Sequence, residues 1–519
     1  MDALSAVLAI TVAIALLFEV ARRLGVPYPS LFVLGGLALG FLPGLPKLEL
    51  EPELVLLLFL PPLLFEAAVE TPARDLKADV WPIARLSVVL VLLTMGAVAL
   101  VGHFVIGLEW AAAFTLGAIL GPTDAIAATS VFRRIGVPRR AATLVEGESL
   151  FNDATALVAY RSAVLAVAAG TFVVTDALFG FASAVAGGIG IGVVVGLVAA
   201  ALLRRLDDAP VEVLLSLVIP FVAYLPAEQL HLSGVLAAVS AGLVVGSRIG
   251  KILSPQSRVL WLATWKMVGF VLNGFAFVLI GLQLPDILGE LGGRSIADIA
   301  GLIALVGGAV VVTRLVYVWV ASHIPNSTRQ QIAAQTNAEL AGRLTWVVGW
   351  SGLRGVVSLA AALALPADFP ERNLILLLTF AVIVITLVGQ GLTLPLVVRW
   401  ANWDGVELDG DEITVARGAV CRAGLEEIER ARVAWPGHAE LVERLEASLR
   451  DRTDHLATED ANETADRRHE REDHEAIQRS IIDAQRAAVI DLRDRRHIND
   501  RTLRLIERDL DLEELRMEG

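Results

Sequence analysis

The sequence is poor in cysteine and in charge. Cys421 is the only cysteine in 519 residues, so no intrachain disulfide can form, which fits a reducing compartment. Charged residues make up 19% of the chain, below the roughly 25% of soluble proteins, while 55% are hydrophobic and the mean hydropathy is +0.65. These values exclude a single water-soluble domain, a disordered chain and a disulfide-stapled scaffold. No GxxxxGK[ST] loop is present, so the sequence does not indicate ATP-driven activity.

The few charges are unevenly placed. Residues 404–519 hold 31 acidic and 19 basic residues, a net charge of −12, whereas residues 1–403 hold 25 acidic and 24 basic residues, a net charge of −1. The overall charge of −13 argues against general nucleic-acid binding. The pattern predicts an apolar body that ends near Trp403 and a soluble, acidic, helical tail over 404–519.

The body contains thirteen apolar segments that approach the length needed to span a membrane, about 20 residues for a helix. The predicted spans are 3–21, 28–43, 53–69, 83–105, 110–131, 141–168, 173–203, 210–226, 231–248, 261–284, 296–322, 341–366 and 373–400. The sequence therefore predicts an all-α polytopic membrane protein with thirteen transmembrane helices and a C-terminal helical tail.

The distribution of lysine and arginine predicts the orientation, because these residues favour cytoplasmic loops. If the N-terminus lies outside, the inner loops and the span ends beside them hold sixteen of these residues, whereas the outer loops hold only Lys47, Arg294 and Arg372. We expect a multi-pass protein of the plasma (inner) membrane with its N-terminus outside and its tail in the cytoplasm.

Polar residues lie at mid-depth in three of the predicted spans. They are Gly121-Pro122-Thr123-Asp124 in 110–131, the stretch from Glu146 to Asp153 in 141–168, and the stretch from Gly349 to Gly355, with Arg354, in 341–366. Ionisable groups inside a membrane are costly and usually mark function. At 100° per residue, the side chains of Glu148, Ser149, Asn152 and Asp153 share one arc of a helix. Such a ladder of oxygens suits a hard monovalent cation. The alternative is a polar stripe that joins helices, but such a stripe rarely needs two carboxylates.

The first and third of these stretches predict broken helices. Pro122 lacks an N–H, and three glycines interrupt 341–366. A break at membrane depth survives only where protein or a water-filled cavity satisfies the freed backbone groups. The two segments occupy corresponding places in the two halves of the chain and run in opposite directions, which is the pattern of inverted-topology repeats in secondary transporters. Proline and glycine alone are equally compatible with ordinary kinks.

At these residues the sequence resembles the monovalent cation:proton antiporters, specifically the sodium/proton exchanger branch with NhaP-type bacterial members. The resemblance covers essentially the whole body. The motifs that carry it are Glu148-Ser149-Leu150-Phe151-Asn152-Asp153, Gly121-Pro122-Thr123-Asp124, Gly352-Leu353-Arg354-Gly355, Pro61-Pro62-Leu63-Leu64-Phe65-Glu66 and Gly281-Leu282.

The resemblance implies an ion site on the sixth span. Asp153 would bind either a proton or the cation, with further oxygens from Ser149 and Thr123, so that these three residues would hold the monovalent cation. Asn152 would mark the electroneutral branch, because related electrogenic antiporters carry a second aspartate at this position.

The resemblance also implies supporting roles. Asp124 would lie where the broken helices cross and balance their dipoles, and Glu148 would pair with Arg354 to hold the site in shape. Arg314 lies in a segment where this branch often has an arginine, and its partner stays open. Arg161 is interpreted as a structural cation near the outer end of its helix.

The implied architecture is a homodimer in the lipid bilayer. Dimerisation domains would comprise 1–82 and 206–295, the ion-transporting core 83–170 and 296–403, with a linker helix over 171–205 and the cytoplasmic tail over 404–519. The implied activity is secondary active antiport of sodium, lithium or potassium against protons, serving pH homeostasis. It would be electroneutral, proceed by competition for Asp153 and alternating access of the core, and need no cofactor and no enzymatic step.

Two alternatives come from other classes. Gly349-Trp350-Ser351-Gly352 has the glycine-x-serine-glycine shape of an intramembrane serine hydrolase, but such a serine needs a nearby base, and the histidines of the body lie near span ends. Broken helices could also line an ion channel.

The tail has two interpretations. It is either a pH sensor that uses its histidines or a solvated helical appendage that supports dimerisation. The histidines of the tail are His438, His455, His469, His474 and His497.

Overall fold

The structure is a computed structural model of the chain. It describes residues 3–41, 52–135, 137, 139–170, 174–289, 295–324, 338–401, 410–459 and 480–492, with a few isolated positions beyond 494. The chain divides into two compact units, Met1–Val406 and Glu407–Gly519. Within the described ranges every regular element is a helix.

The first half of the larger unit contains nine helices in the ranges that the structure describes. They are α1 (Ala3–Leu24), α2 (Tyr28–Gly40), α3 (Pro52–Glu70), the short α4 (Ala73–Ala78), α5 (Val80–Ile106), α6 (Trp110–Leu120), α7 (Ala125–Ile135), α8 (Arg139–Ala169) and α9 (Val174–Leu203). Two turns of α5 are π-helical, Arg85–Val89 and Gly102–Ile106.

The second half continues in the same all-helical manner across its described residues. Its helices are α10 (Ala209–Gln229), α11 (Gly234–Gly246), the short α12 (Ile249–Ile252), α13 (Pro255–Gly289), α14 (Ile296–Ala321), α15 (Ala338–Trp350), α16 (Val356–Leu363) and α17 (Arg372–Trp400). A π-helical stretch, Ile385–Gln390, lies within α17.

Helices lie on all thirteen segments predicted to span the membrane. Seven stretches are long and apolar enough to cross a bilayer among the residues described, and they are Val80–Ile106, Trp110–Phe132, Leu178–Leu203, Ala209–Gln229, Pro255–Gln283, Ala297–Ala321 and Arg372–Trp400. The helices α2 and α11 are shorter and apolar. The described residues thus form an all-helical fold with apolar helices long enough to cross a membrane, and the count of thirteen crossings stays a prediction.

The helices of the larger unit pack in two neighbourhoods. In one, α13 lies along α2, and α11 lies against α3, α9 and α10. Gly192 permits the close approach of α9 to α11, because a Cβ at this position would overlap the carbonyl oxygen of Ala237. In the other, α6 packs against α5 and α8, α14 packs against α5 and α15, and α16 contacts α6. The broken helices α6–α7 and α15–α16 therefore lie in the second neighbourhood.

The smaller unit is a helical hairpin followed by a further helix. Its helices are α18 (Gly410–Ala434), α19 (Ala439–Glu459) and the stretch 480–492. A short turn at Pro436–His438 joins α18 to α19, at the turn that Pro436-Gly437 predicts. Buried Cys421 and Val442 pack inside this unit. Of its histidines, His438 and His497 are exposed, His455 is in α19, and His469 and His474 lie outside the described residues.

Candidate ion-binding site

The first break in the helices separates α6 from α7. The helix α6 ends at Leu120, where Gly121 and Pro122 follow, and α7 begins at Ala125. Pro122 has no N–H to continue the ladder of backbone hydrogen bonds. The residues between the two helices, Thr123 and Asp124, therefore present backbone groups that other parts of the protein must satisfy.

The second break separates α15 from α16. The helix α15 ends at Trp350, and α16 begins at Val356. Two glycines in the break leave room for functional side chains. A Cβ on Gly352 would overlap the side chain of Arg314, and a Cβ on Gly355 would overlap the carboxylate of Asp124. The glycines thus allow the two breaks and Arg314 to approach one another.

Asp124 joins the two breaks. Its backbone N–H donates to the carbonyl oxygen of Leu353 at 2.8 Å. Its carboxylate accepts from the N–H of Ile126 at 2.8 Å and from the N–H of Val356. These two N–H groups belong to the first turns of α7 and α16, where the helix dipole is positive. One carboxylate therefore compensates the N-terminal ends of two helices.

Two arginines compensate the opposite, carbonyl-bearing helix ends. Arg354 Nε donates to Leu120 O, at the end of α6, at 3.0 Å, and the same guanidinium bonds Gly352 O. Arg314 donates from Nε to Gly349 O at 3.2 Å and from Nη2 to Val348 O at 3.1 Å, at the end of α15. Both arginines are 1% exposed. A cation at a helix C-terminus is favourable because the dipole there is negative.

The prediction that Glu148 pairs with Arg354 is wrong, because Glu148 pairs with Arg314 instead. Arg314 donates from both of its terminal nitrogens to the carboxylate of Glu148, with Nη2 at 2.9 Å from Oε2, and both side chains are 1% exposed. The reason is the path of α14, which carries the Arg314 side chain across Gly352 toward α8. The guanidinium of Arg354 is instead engaged with backbone carbonyls.

The polar ladder of α8 is hydrogen-bonded to the first break. Thr123 Oγ1 donates to Glu148 Oε1 at 3.1 Å and accepts from Asn152 Nδ2 at 2.7 Å. Ser149 Oγ donates to Thr123 O at 2.9 Å and accepts from the N–H of Ala125 at 3.3 Å. Three of the four ladder residues thus hold Thr123 in position.

Asp153, the fourth residue of the ladder, is in a different environment. Its side chain is 5% exposed, and no hydrogen bond to its carboxylate forms within the described part of the chain. It lines a cavity of about 560 Å³ that Thr123, Asp124 and Ser149 also line. This cavity brings together the three residues expected to ligate a cation, with Asp124 beside them.

The opposite wall of the cavity contains residues that the sequence interpretation did not include in the site. The helix α3 contributes Glu66 and Glu70, and α13 contributes Lys266 and Asn273. Asn273 is 6% exposed, and its Oδ1 has no hydrogen-bond partner among the described residues. Glu66 belongs to the motif from Pro61 to Glu66, and Lys266, Gly269, Phe270 and Asn273 follow helical spacing. Only the packing of α13 against α3, and of α3 against α8, shows that these residues face one cavity.

Ser351, the serine of the hydrolase alternative, is not part of a catalytic arrangement among the described residues. Ser351 is 1% exposed, and its Oγ donates to Val348 O at 2.9 Å. In the portion of the chain that is described, no group of three or more His, Cys, Asp or Glu could hold a metal ion.

Two broken helices that meet at their breaks, with compensated ends and a carboxylate-lined cavity beside them, are typical of a membrane protein of the secondary-transporter type. The chain belongs to the sodium/hydrogen exchanger family, because residues 7–400 match the family described as "Sodium/hydrogen exchanger, transmembrane". This finding confirms the resemblance identified from the motifs. The chain is a transporter rather than an enzyme, so the hydrolase interpretation of Ser351 is not retained.

Similar proteins agree with this membership. An uncharacterized Na⁺/H⁺ exchanger of Mycobacterium tuberculosis is 34% identical over 98% of this chain and 95% of the relative. The low-affinity Na⁺/H⁺ antiporter NhaS1 of Synechocystis is 37% identical over 78% of this chain and 75% of the relative. The fold is similar to that of the sodium proton antiporter MjNhaP1 of Methanocaldococcus jannaschii, with a TM-score of 0.57 and 19% identity, over 78% of this chain and 98% of that one.

Proposed function

We propose that this protein exchanges sodium, or the related lithium or potassium ion, for protons across the membrane. The observation that carries the proposal is that Asp124 and Glu148 have partners that compensate their charge, whereas Asp153 has none among the described residues. Asp124 accepts two helix N-terminal N–H groups, and Glu148 is paired with Arg314. Asp153 has neither kind of partner among the described residues and faces the cavity. It is therefore the carboxylate that an ion from solution can neutralise.

Competition at Asp153 provides the coupling. One carboxylate cannot hold a proton and a cation together, so the arrival of one ion favours the release of the other. If the core moves only when Asp153 is neutralised, one proton exchanges for one cation. Moving an uncompensated charge across 100 mV costs about 2.3 kcal/mol. The neutral amide of Asn152, which donates to Thr123, adds no second charge, and this supports electroneutral exchange.

Alternating access requires that one group of helices move against another. We assign the mobile core to 83–170 and 296–403, and the dimerisation domain to 1–82 and 206–295, with 171–205 as the linker. The cavity supports this division because Asp153 and Ser149 line it from the core while Glu66 and Asn273 line it from the other side. The homodimer is inferred from the resemblance.

The orientation of the cavity follows from the distribution of positive charge. Glu70 lies at the end of α3, four residues before Arg74, and Glu146 lies in the part of α8 nearest to Arg139 and Arg140. Both carboxylates line the cavity. Because lysine and arginine favour the cytoplasmic side, we infer that the cavity opens to the cytoplasm and that the N-terminus lies outside.

Replacement of Asp153 tests the proposal. In proteoliposomes, we expect Asp153→Asn to abolish proton movement driven by sodium, potassium or lithium, because an amide cannot alternate between a proton and a cation. Asp298→Asn is the matched control, since Asp298 is an exposed carboxylate at the start of α14, and it should transport as the parent does. Undiminished exchange in folded Asp153→Asn would refute the assignment.

The same vesicles test electroneutrality and the channel alternative. With the membrane voltage clamped at different values, electroneutral exchange should keep its rate and its final gradient. A final gradient that follows the voltage would contradict the one-for-one stoichiometry, and single-channel currents would favour a channel.

A further inference from the structure

The helix α8 makes a second polar contact far from the cavity. Glu146, Ser149 and Asp153 line the cavity from one part of this helix. Arg161 lies eight residues beyond Asp153, about 12 Å along the helix at 1.5 Å per residue. By the orientation inferred above, the cavity faces the cytoplasm and Arg161 lies toward the outer side. A side chain at this place can restrain the helix that carries the ion site.

Arg161 contacts α10 and the short turn between α10 and α11, two helices of the first neighbourhood. Its guanidinium forms an ion pair with Glu228, in the last turn of α10, and Nη1 lies 3.4 Å from the carbonyl oxygen of Leu232. The second oxygen of Glu228 accepts from the N–H of Gly234, the first residue of α11, at 3.1 Å. Glu228 thus compensates a helix N-terminus and an arginine at once, and we call this arrangement the Arg161–Glu228 clasp.

Apolar packing fills the space between the ion site and the clasp. Ala154 of α8 packs in one cluster with Tyr224 of α10 and with Val235 and Val239 of α11, and Leu157 of α8 packs against this cluster. The side chains of Ala154, Tyr224, Val235 and Val239 are at most 6% exposed to solvent. This apolar seal contains no charged group for an ion to follow, and its one polar side-chain atom is the hydroxyl oxygen of Tyr224, so Asp153 can reach the outer side only after α8 moves away from α10 and α11.

We propose that the Arg161–Glu228 clasp holds the outer side closed while the cavity is open, and that it must separate for Asp153 to face outward. The proposal rests on the alternating-access function above and adds two positioning residues to it. Arg161 moves with the core, whereas Glu228 stays with α10 and α11, so core movement draws their charges apart. The clasp is a polar contact that this movement breaks, and the apolar seal parts with it.

The exposure of the pair sets the expected size of the effect. The side chains of Arg161 and Glu228 are 41% and 23% exposed, so water and salt screen their attraction. Pairs of this kind shift an equilibrium by about two- to fivefold. Neutralising either partner should therefore favour the outward-open state by a factor in this range while leaving the ion site intact.

Thiol labelling measures that shift without any transport. The only cysteine, Cys421, is first replaced in Cys421→Ser, and Leu157→Cys then places a thiol among the residues packed on the apolar seal. A membrane-impermeant maleimide is added on the side where Arg161 lies. We expect Arg161→Gln and Glu228→Gln each to raise the labelling rate about two- to fivefold. Arg372→Gln is the matched control, because this arginine donates to the carbonyls of Leu363 and Leu365, and it should label at the parent rate.

A double substitution separates the clasp from general loosening. If the two residues act as one unit, Arg161→Gln combined with Glu228→Gln labels no faster than the quicker single variant. Parent-like labelling in both single variants, or additive increases in the double variant, would overturn the clasp. Failure of the proposed antiport would show separately, as unaltered exchange in Asp153→Asn.

Discussion

At the scale of single residues, the site is organised by how each charge is compensated. The 100° rotation per residue suffices to place Glu148 and Asp153 on one arc of α8. The same rule cannot identify the partner of Glu148, because Arg314 and Arg354 are both in the second half of the chain. Their roles depend on the path of α14, which brings Arg314 across Gly352. The helical spacing of α8 therefore predicts that the four polar residues of its ladder share one face. Only the tertiary packing determines that Glu148 pairs with Arg314.

Removing one partner of the buried pair should be costly. Glu148→Gln leaves the guanidinium of Arg314 buried without a counter-charge, which typically destabilises a protein by about 3–5 kcal/mol. We expect a marked fall in the thermal unfolding temperature of the purified protein in detergent. Glu19→Gln is the matched control, since Glu19 bonds Arg22 and Arg23 on an exposed surface, and it should leave that temperature unchanged. An equal effect of the two substitutions would contradict the importance of burial.

Competition at Asp153 predicts the direction of the pH dependence. As the pH falls, protons occupy a larger share of the carboxylates, so the sodium concentration for half-maximal exchange should rise, by up to about tenfold per pH unit when the protonated form dominates. Initial rates measured over a grid of sodium concentration and pH test this. A half-maximal concentration independent of pH would show that the two ions use different groups.

At the scale of helices, proline and glycine indicate the two breaks, and the structure shows why both are needed. Pro122 removes a backbone donor, whereas Gly352 and Gly355 make space for Arg314 and Asp124. The π-helical turn of α17, Ile385–Gln390, contains Gly389 as well, yet the helix continues through it without a break. Local sequence therefore predicts interruptions of a helix better than changes in its winding.

The glycine of the second break provides a steric test. Gly352→Ala should displace Arg314 from Glu148, because a Cβ there overlaps the Arg314 side chain. We expect at least a tenfold loss of exchange, equivalent to about 1.4 kcal/mol, together with a lower unfolding temperature. Gly308→Ala is the control, since nothing lies within 4 Å of a Cβ at that exposed position of α14. If Gly352→Ala retained parental exchange, the position of Arg314 would not matter to transport.

At the scale of the whole molecule, hydropathy locates the apolar segments, and positive charge predicts their direction. What these patterns miss is the far wall of the cavity. Glu66 and Asn273 lie far apart in the sequence, on helices that are apolar on all sides, so the sequence pattern does not indicate which face of each helix lines the cavity. Only the packing of α3 and α13 brings them opposite Asp153.

The division of the chain into two units predicts the effect of truncation. Every proposed site residue lies within Met1–Val406. We expect a chain that ends at Val406 to retain exchange in proteoliposomes, because the site and its supporting helices are intact. The pH profile of this shortened chain distinguishes the two interpretations of the tail. An altered profile would favour sensing by its histidines, and loss of all exchange would show that the body depends on the tail.

Each of the two broken helices supplies a charge that compensates an end of the other, which limits how segments of related proteins can be combined in one chain. The first half of the chain lends an anion, Asp124, to the start of α16, while the second half lends a cation, Arg354, to the end of α6. Neither half is electrostatically complete alone. A chimaera that takes 83–170 from one relative and 296–403 from another therefore has both helix ends compensated only if the first parent carries the aspartate and the second carries the arginine.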